Sequence, residues 1–102
     1  MVQVKKTRCG SSLSKSELAY IFYILMDEGV LFLNELEPAK NRTMLQVFFE
    51  TNFSYRGDAG AQMPLQSLSR EFSEAKGFTY RDKQLRLLNR IIRRLEHRKQ
   101  TI

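Results

Sequence analysis

The sequence predicts an all-α fold: a small four-helix domain with at most a short β wing. With 102 residues, of which 42% are hydrophobic, the chain is large enough to build one core. Apolar residues recur at helical spacing in four segments, and glycine or proline residues separate these segments. The single cysteine, Cys9, excludes an internal disulfide, so the helices have to supply the core.

Both ends of the sequence are predicted to lie outside this core. Residues 1–12 are polar and contain Gly10-Ser11-Ser12, which predicts a flexible N-terminal lead-in. We expect residues 13–99 to form the single helical domain and residues 100–102 to form a tail.

The first helix has the clearest start signal. Ser14-Lys15-Ser16-Glu17 has the spacing of a capping box, in which each end residue's side chain accepts from the other's backbone amide. The helix is expected to reach about Glu28, with Gly29 as its terminator. Its side chains are apolar on nearly every face, which predicts a central position. The next segment, 30–33, is short and β-compatible, so we expect a wing strand or a buried connector there.

The second and third helices flank a predicted loop. Asn41 is expected to cap the second helix, which covers roughly Arg42–Thr51. Residues 52–63 are small and polar and predict a surface loop. Pro64 is expected to open the third helix at its first position, and Gly77 to end it. The residues that this helix should bury are Leu65, Leu68 and Phe72.

The fourth helix is expected over about Tyr80–Lys99, with Thr79 as its N-cap and Asp82 at the N3 position. The residues that it should bury are Leu85, Leu88, Ile91, Ile92 and Leu95. On another face, basic residues recur at alternating spacings of three and four and predict a continuous basic stripe. The members of this basic stripe are Lys83, Arg86, Arg90, Arg93 and His97.

The net charge is concentrated in the last quarter of the sequence. Residues 77–102 contain eight basic and two acidic side chains, a net charge of +6, whereas residues 1–76 contain nine of each. A concentrated positive field attracts polyanions and neutralises phosphates. Nucleic acid is therefore an expected partner, and an acidic protein is the alternative.

No pattern in the sequence predicts an enzyme. There is no glycine-rich phosphate loop and no carboxylate pair at an acid–base spacing, and the only histidine, His97, is remote in sequence from Cys9. We therefore expect no catalytic residue, metal site, cofactor or small-molecule substrate. The longest apolar run, Leu18–Met26, is far shorter than the roughly 20 residues of a membrane span. With no signal peptide visible, we expect a cytoplasmic protein that does not bind membranes.

Polar residues at the start of the predicted third helix match those that read DNA. Arginine pairs with guanine, glutamine with adenine, and serine with bases or phosphate; a helix-turn-helix presents such side chains near the start of its second helix. The arginines of the fourth helix would contact phosphates. We therefore predict a helix-turn-helix or winged-helix-like domain that binds double-stranded DNA. The predicted interface consists of Gln66, Ser67, Ser69, Arg70, Lys83, Arg86, Arg90, Arg93 and Arg94.

Two features support an alternative. The connection 52–63 is longer than the tight turn of the simplest helix-turn-helix. Phe48, Phe49 and Phe53 crowd the second helix, and a small domain has difficulty burying all three. The alternative is a non-enzymatic protein-interaction or oligomerisation module whose basic face docks on an acidic partner. A homodimer is compatible with both interpretations.

Three segments have the pattern of a known family. In Ser14–Val30 a helix precedes a glycine and a short apolar stretch, Leu65–Phe72 contains the spacing S-L-x-x-x-F, and Leu85–Leu95 is amphipathic. This order resembles the C-terminal domain of RteC-type regulatory proteins of Bacteroides conjugative transposons. The resemblance covers roughly residues 13–97 and rests on hydrophobic patterning.

The resemblance implies a mostly helical fold with a winged-helix-like part, and transcription regulation of a conjugative transposon by DNA binding. This chain differs from the family pattern in two features. A tryptophan often precedes its first helix, and this chain contains none. A full regulator is also expected to have a further N-terminal domain, which these 102 residues do not include.

Overall fold

The computed structural model describes residues 7–102 and contains four helices and one two-stranded sheet in that range. The elements are α1 (Lys15–Asp27), α2 (Pro38–Asn52), β1 (Ser54–Arg56), β2 (Gln62–Pro64), α3 (Ser69–Lys76) and α4 (Arg81–Thr101). The predicted mainly helical class is confirmed. None of these helices combines the length and hydrophobicity that a membrane crossing requires.

α1 lies at the centre of the fold, and its capping box is present. The Glu17 amide donates to Ser14 Oγ at 3.4 Å, and the Ser14 amide donates to Glu17 Oε1 at 3.1 Å. Gly29 follows the helix with a φ of 75°, a left-handed conformation that glycine adopts without strain. The start and the end of this helix therefore agree with the prediction. The residues that α1 buries are Leu18, Ala19, Tyr20, Phe22 and Tyr23.

Aromatic rings form much of the core. Phe22 of α1 stacks on Phe49 of α2 with ring centroids 3.9 Å apart, and Phe53 meets Phe22 edge-on. Of the three crowded phenylalanines, Phe49 is buried, Phe53 is half-buried and Phe48 remains exposed. The prediction that the third helical region buries its apolar residues is confirmed for Leu65, Leu68 and Phe72.

α2 begins earlier than predicted. It starts at Pro38, a position that favours proline because the first helical amides need no partner within the helix. Asn41 therefore lies inside α2 and is not its N-cap. Its side chain is buried, and Oδ1 accepts hydrogen bonds from the amides of Leu33 and Asn34 at 3.0 and 2.7 Å. Asn41 thus fastens the connection between α1 and α2.

The segment 30–33 forms neither a wing strand nor a buried connector. Val30, Phe32 and Leu33 are exposed, and Leu31 is the one residue of the segment that packs against the core. The prediction was wrong here because a short β-compatible run forms a strand only beside a partner strand, and the sheet is built from other residues.

A β-hairpin occupies the predicted loop and the start of the predicted third helix. β1 and β2 pair antiparallel, with Ser54 opposite Pro64 and Arg56 opposite Gln62. Pro64 therefore ends a strand and does not open a helix, and α3 begins only at Ser69. Proline is tolerated at the end of this two-stranded sheet because its missing amide need not pair there.

The hairpin also separates α2 from α3, which contains only eight residues. The tight turn of a simple helix-turn-helix is therefore absent between these two helices. The helix-turn-helix part of the predicted fold is not confirmed, and the β element lies at a different place from the predicted wing.

α4 begins and ends slightly differently from the prediction. Its N-cap residue is Tyr80, in a left-handed conformation with a φ of 56°, so Thr79 does not cap the helix. The Thr79 carbonyl instead accepts from Gln84 Nε2 at 2.8 Å. The helix continues to Thr101.

The predicted buried face of α4 is only partly correct. The residues that face the domain are Gln84 and Leu87, which are buried, and Leu88 and Ile91, which are half-buried. Three residues of the predicted core stripe are instead exposed, by 44%, 47% and 61%: Leu85, Ile92 and Leu95. Ile92 and Leu95 are exposed because only the first half of α4 packs on the domain, and every residue from 92 to 102 is exposed. Leu85 lies in the first half but on the side turned away from Leu87.

The described part of the lead-in is attached to the domain. Arg8 Nη1 donates to the backbone oxygens of Glu50 and Phe53 at 2.6 and 3.0 Å. Cys9 forms a parallel bridge with Phe53, and the Ser11 amide donates to Gln62 Oε1 at 3.1 Å. Contacts of the lead-in with the rest of the domain therefore reach back at least to Arg8. Residues 1–6 of the predicted lead-in lie outside the described residues.

Candidate nucleic-acid interface

The basic stripe runs along one face of α4, and all its members are exposed. At roughly 100° per residue, this face lies adjacent to the buried side of the helix at Leu87 and turns away from Leu85 and Ile92. Arg94 borders the stripe at the edge nearer to Leu87. The periodicity of the sequence therefore placed these side chains on one face, while the packing of α4 decided how that face is oriented relative to α1.

Two members of the stripe are bound to the N-terminal turn of α1. Arg90 Nη2 donates to Glu17 Oε2 at 2.6 Å, and Lys83 Nζ donates to Ser16 Oγ at 2.7 Å. Because these residues lie seven positions apart, which is about two helical turns, they hold this stretch of α4 against the N-terminal end of α1. Their charges contribute to the positive field, but their side chains already have partners.

The Glu17 carboxylate shows the effect of this contact. Partial burial acts to raise its pKa, but the hydrogen bond from the Ser14 amide, together with the hydrogen bond and charge of Arg90, outweighs burial. The net result is a pKa below the usual 4.5. Glu17 is therefore ionised at neutral pH and remains a partner for Arg90.

The free cations of the predicted interface are three other arginines of α4. Within residues 7–102, Arg86, Arg93 and Arg94 make no ion pair or hydrogen bond to another side chain or to the backbone. Arg93 and Arg94 line a shallow surface depression with His97 and Arg98 near the end of the helix. These guanidinium groups can bind phosphate without first breaking a contact within the domain.

The four interface residues predicted on the third helix do not share one helix. Ser69 and Arg70 lie in the first turn of α3, but Gln66 and Ser67 precede it, and Ser67 has a φ of 55°. All four are exposed. They reach the surface from the connection after the hairpin as well as from α3, so the predicted presentation from a single helix start was wrong.

The structure brings Arg70 and Lys83 to one depression, although they are on different helices. Tyr20 and Glu74 line the same depression. Arg70 Nη2 lies 3.5 Å from Glu71 Oε1, and its Nε lies 4.0 Å from Glu74 Oε2. Arg70 is 81% exposed, so these ion pairs are weak and can exchange for a phosphate or a base edge.

Ser69 and Gln66 differ in their freedom to bind a partner. Ser69 Oγ accepts from Gln46 Nε2 of α2 at 2.9 Å, which ties it to the domain. Gln66 makes no hydrogen bond through its side chain within residues 7–102 and lines a depression with Ser67, Lys15 and Tyr55. Gln66 is therefore the freer of the two polar side chains.

Sequence reasoning missed two contributors to this surface. Lys15 donates to the Ser67 carbonyl at 3.4 Å and lies 3.4 Å from the buried Glu71 Oε1, which links α1 to the segment before α3. The hairpin was the other. Its signal was the glycine-containing run Gly57–Gly60 between β-compatible residues, which is typical of a short hairpin loop, and Gly60 has the positive φ of 82°.

The comparisons add no family. Neither the family models, nor the curated proteins, nor the solved structures give a significant match to this chain. Within residues 7–102, no group of three or more histidine, cysteine, aspartate or glutamate side chains is arranged to hold a metal ion.

Proposed function

We propose that this domain binds double-stranded DNA, with the arginines of α4 on the phosphates. The observation that supports the proposal most directly is that Arg86, Arg93 and Arg94 project from one exposed helix side with no partner within residues 7–102. Arginines that already form ion pairs must lose them before they neutralise phosphates, and these three need not.

The anchor between α4 and α1 supports the same function. A phosphate-binding helix must hold a fixed direction relative to the rest of the domain if other residues are to reach the DNA in register. Arg90 and Lys83 provide this fixed direction through Glu17 and Ser16. The arginine at position 90 is then a positioning residue as well as a source of charge.

Base contacts in this proposal come from Arg70 and Gln66. Both are exposed; Arg70 lines a depression with Lys83 of the basic stripe, and Gln66 lines a separate depression with Lys15 and Tyr55. Arginine and glutamine are the side chains that pair bidentately with guanine and adenine. Because α3 contains only eight residues, we assign it contact through its first turn and not insertion along a whole groove.

Regulation of transcription in a mobile genetic element belongs to the proposal only through the resemblance to RteC-type proteins. The resemblance lies in the order of α1, the S-L-x-x-x-F segment and the closing amphipathic helix. It supports DNA as the partner, and it suggests that gene regulation is the purpose of the binding.

The test is a titration of the purified domain with random-sequence duplex DNA, followed by fluorescence anisotropy from low to physiological salt. Binding should fall steeply with salt, with a log–log slope that corresponds to several phosphate contacts. The double variant Arg86→Gln with Arg93→Gln should reduce the magnitude of this slope by about two and weaken binding by roughly 10- to 100-fold near 0.1 M salt.

The matched control is Lys40→Gln with Lys76→Gln. Both double variants lower the net charge from +6 to +4, but Lys40 and Lys76 lie outside the basic stripe. The control should bind nearly as well as the unchanged domain. An equal loss of DNA affinity in the two double variants would show that binding depends only on the net charge of the domain. Absence of binding at about 50 mM salt would refute DNA as the partner.

A further inference from the structure

α4 carries an apolar ridge on the side opposite its basic stripe. The ridge consists of Leu85, Leu88, Ile92 and Leu95, which follow each other at spacings of three, four and three. Leu85, Ile92 and Leu95 are 44%, 47% and 61% exposed, and Leu88 is half-buried. Among residues 7–102, only Leu88 of this ridge is covered in part by the domain.

The spacing of the ridge indicates what kind of surface fits it. Apolar residues that alternate at three and four positions form the a and d seam of a coiled coil, whose partner is another helix. Isoleucine at an a position with leucine at d positions, as at Ile92 and Leu95, favours a two-stranded arrangement. Lys99 takes the next a position, and Arg81 takes the d position before Leu85.

The outer half of α4 has little support from the domain. Every residue from 92 to 102 is exposed, and the radius of gyration of 15.1 Å exceeds the roughly 13 Å of a compact domain of this length. A helical end of this length is marginal in water by itself. A second helix along the ridge would bury the apolar side chains and stabilise this end.

The charges on and beside the ridge specify the partner. Arg81 and Lys99 lie on the seam itself, and the charges of Glu96 and Arg98 at the flanking e and g positions offset each other. A second copy of the chain would place like charges together, with Lys99 facing Lys99 in a parallel pair. An acidic helix would instead place carboxylates opposite these cations.

We propose that the ridge is the docking site for an acidic amphipathic helix of another protein. The ridge and the basic stripe lie on opposite sides of α4, so a docked helix leaves Arg86 and Arg93 free. The inference is therefore independent of DNA binding, and either one stands if the other fails.

The test uses a synthetic peptide about three heptads long, with leucine at a and d and glutamate at the flanking e and g positions. A second peptide carries lysine in place of each glutamate. Anisotropy of the labelled peptides measures binding to the domain, and hydrogen exchange follows residues 92–102. The glutamate peptide should bind saturably at one per domain and slow exchange in 92–102, and the lysine peptide should not bind.

Two variants locate the site. Ile92→Ser with Leu95→Ser should weaken binding of the glutamate peptide at least about tenfold, because two apolar contacts are lost. Both residues are exposed, so the domain should still fold, which circular dichroism checks. Arg86→Gln with Arg93→Gln, on the opposite side, should change the affinity by less than about threefold.

Three results would overturn the proposal. The first is equal binding of the two peptides, or no binding of either. The second is a loss caused by the Arg86 and Arg93 changes and not by the Ile92 and Leu95 changes. The third is a dimer of the domain alone in sedimentation equilibrium that Ile92→Ser with Leu95→Ser dissociates, since the occupant would then be a second copy.

Discussion

Arg90 Nη2 lies 2.6 Å from Glu17 Oε2, and the other oxygen of the same carboxylate accepts from the Ser14 amide at 3.1 Å. One glutamate therefore closes the capping box of α1 and holds α4 against it. A local start signal of one helix is in this way also the anchor of another helix, 73 positions along the chain.

We expect Glu17→Gln to cost about 1 kcal/mol, because it weakens the cap and the ion pair together. Arg90→Gln should cost less, since this side chain is 53% exposed. A double-mutant cycle followed by urea unfolding should give a coupling of about 0.5 kcal/mol between the two positions. Strictly additive losses would show that the ion pair contributes nothing in solution.

The same ion pair predicts that the stability of the domain depends on pH in the acidic range. Because the folded-state pKa of Glu17 lies below 4.5, its contribution is fully present above that pH and disappears as the pH falls through the lowered value. The stability difference between the unchanged domain and Glu17→Gln should therefore shrink below pH 4.5. A difference that stays constant into that range would contradict the assignment.

Arg70→Ala should leave stability within about 0.5 kcal/mol, because the Arg70 side chain is 81% exposed and its ion pairs to Glu71 and Glu74 are long. If Arg70 contacts a base, its loss should cost about 1–3 kcal/mol on a selected duplex and much less on random sequence. The measurement is a competition titration of both duplexes at one salt concentration. Equal losses on both would assign Arg70 to phosphate.

The environment of Tyr20 predicts that the stability of the domain falls at alkaline pH. Its hydroxyl donates to Glu74 Oε1 at 2.9 Å, and burial, followed by the neighbouring Glu74 and Glu71 carboxylates, raises the pKa of Tyr20 to about 12. This contribution is complete below the usual value of 10 and is lost as the pH rises through about 12. Thermal unfolding should show this loss, and Tyr20→Phe should remove it.

At neutral pH Tyr20→Phe should cost about 1 kcal/mol, which is the usual value of one hydrogen bond. The control is Tyr55→Phe, at a half-buried tyrosine of the hairpin. If the alkaline loss persisted in Tyr20→Phe, another group would be responsible.

The position of α3 depends on a carboxylate from α2. Glu50 Oε2 accepts from the Leu68 amide at 2.8 Å, at the N-terminus of α3, where negative charge is favourable. Glu50→Ala should therefore cost about 1 kcal/mol in urea unfolding, whereas Glu50→Gln should retain part of the interaction. Identical effects of the two changes would show that the oxygen at position 50 does not cap α3.

Structural features that depend on only a few neighbouring residues were predicted correctly. The capping box at Ser14 and Glu17, the terminator Gly29 and the burial of Leu68 and Phe72 all follow from local hydrogen bonding or from one amphipathic spacing. Asn41 and Pro64 were assigned wrongly for the opposite reason. Each is common at a helix start, but the Asn41 side chain accepts from amides of the connection before α2, and Pro64 lies opposite Ser54 in the hairpin.

The candidate interface divides in the same way. By itself the sequence determined that the basic residues of α4 share a face, because helical periodicity requires it. Only the tertiary structure decided that Arg90 is bound to Glu17 while Arg86 is free, and that Ile92 and Leu95 remain uncovered. An amphipathic pattern shows which side of a helix is apolar, but whether that side is buried depends on which other elements reach it, and here α1 reaches only the first half of α4.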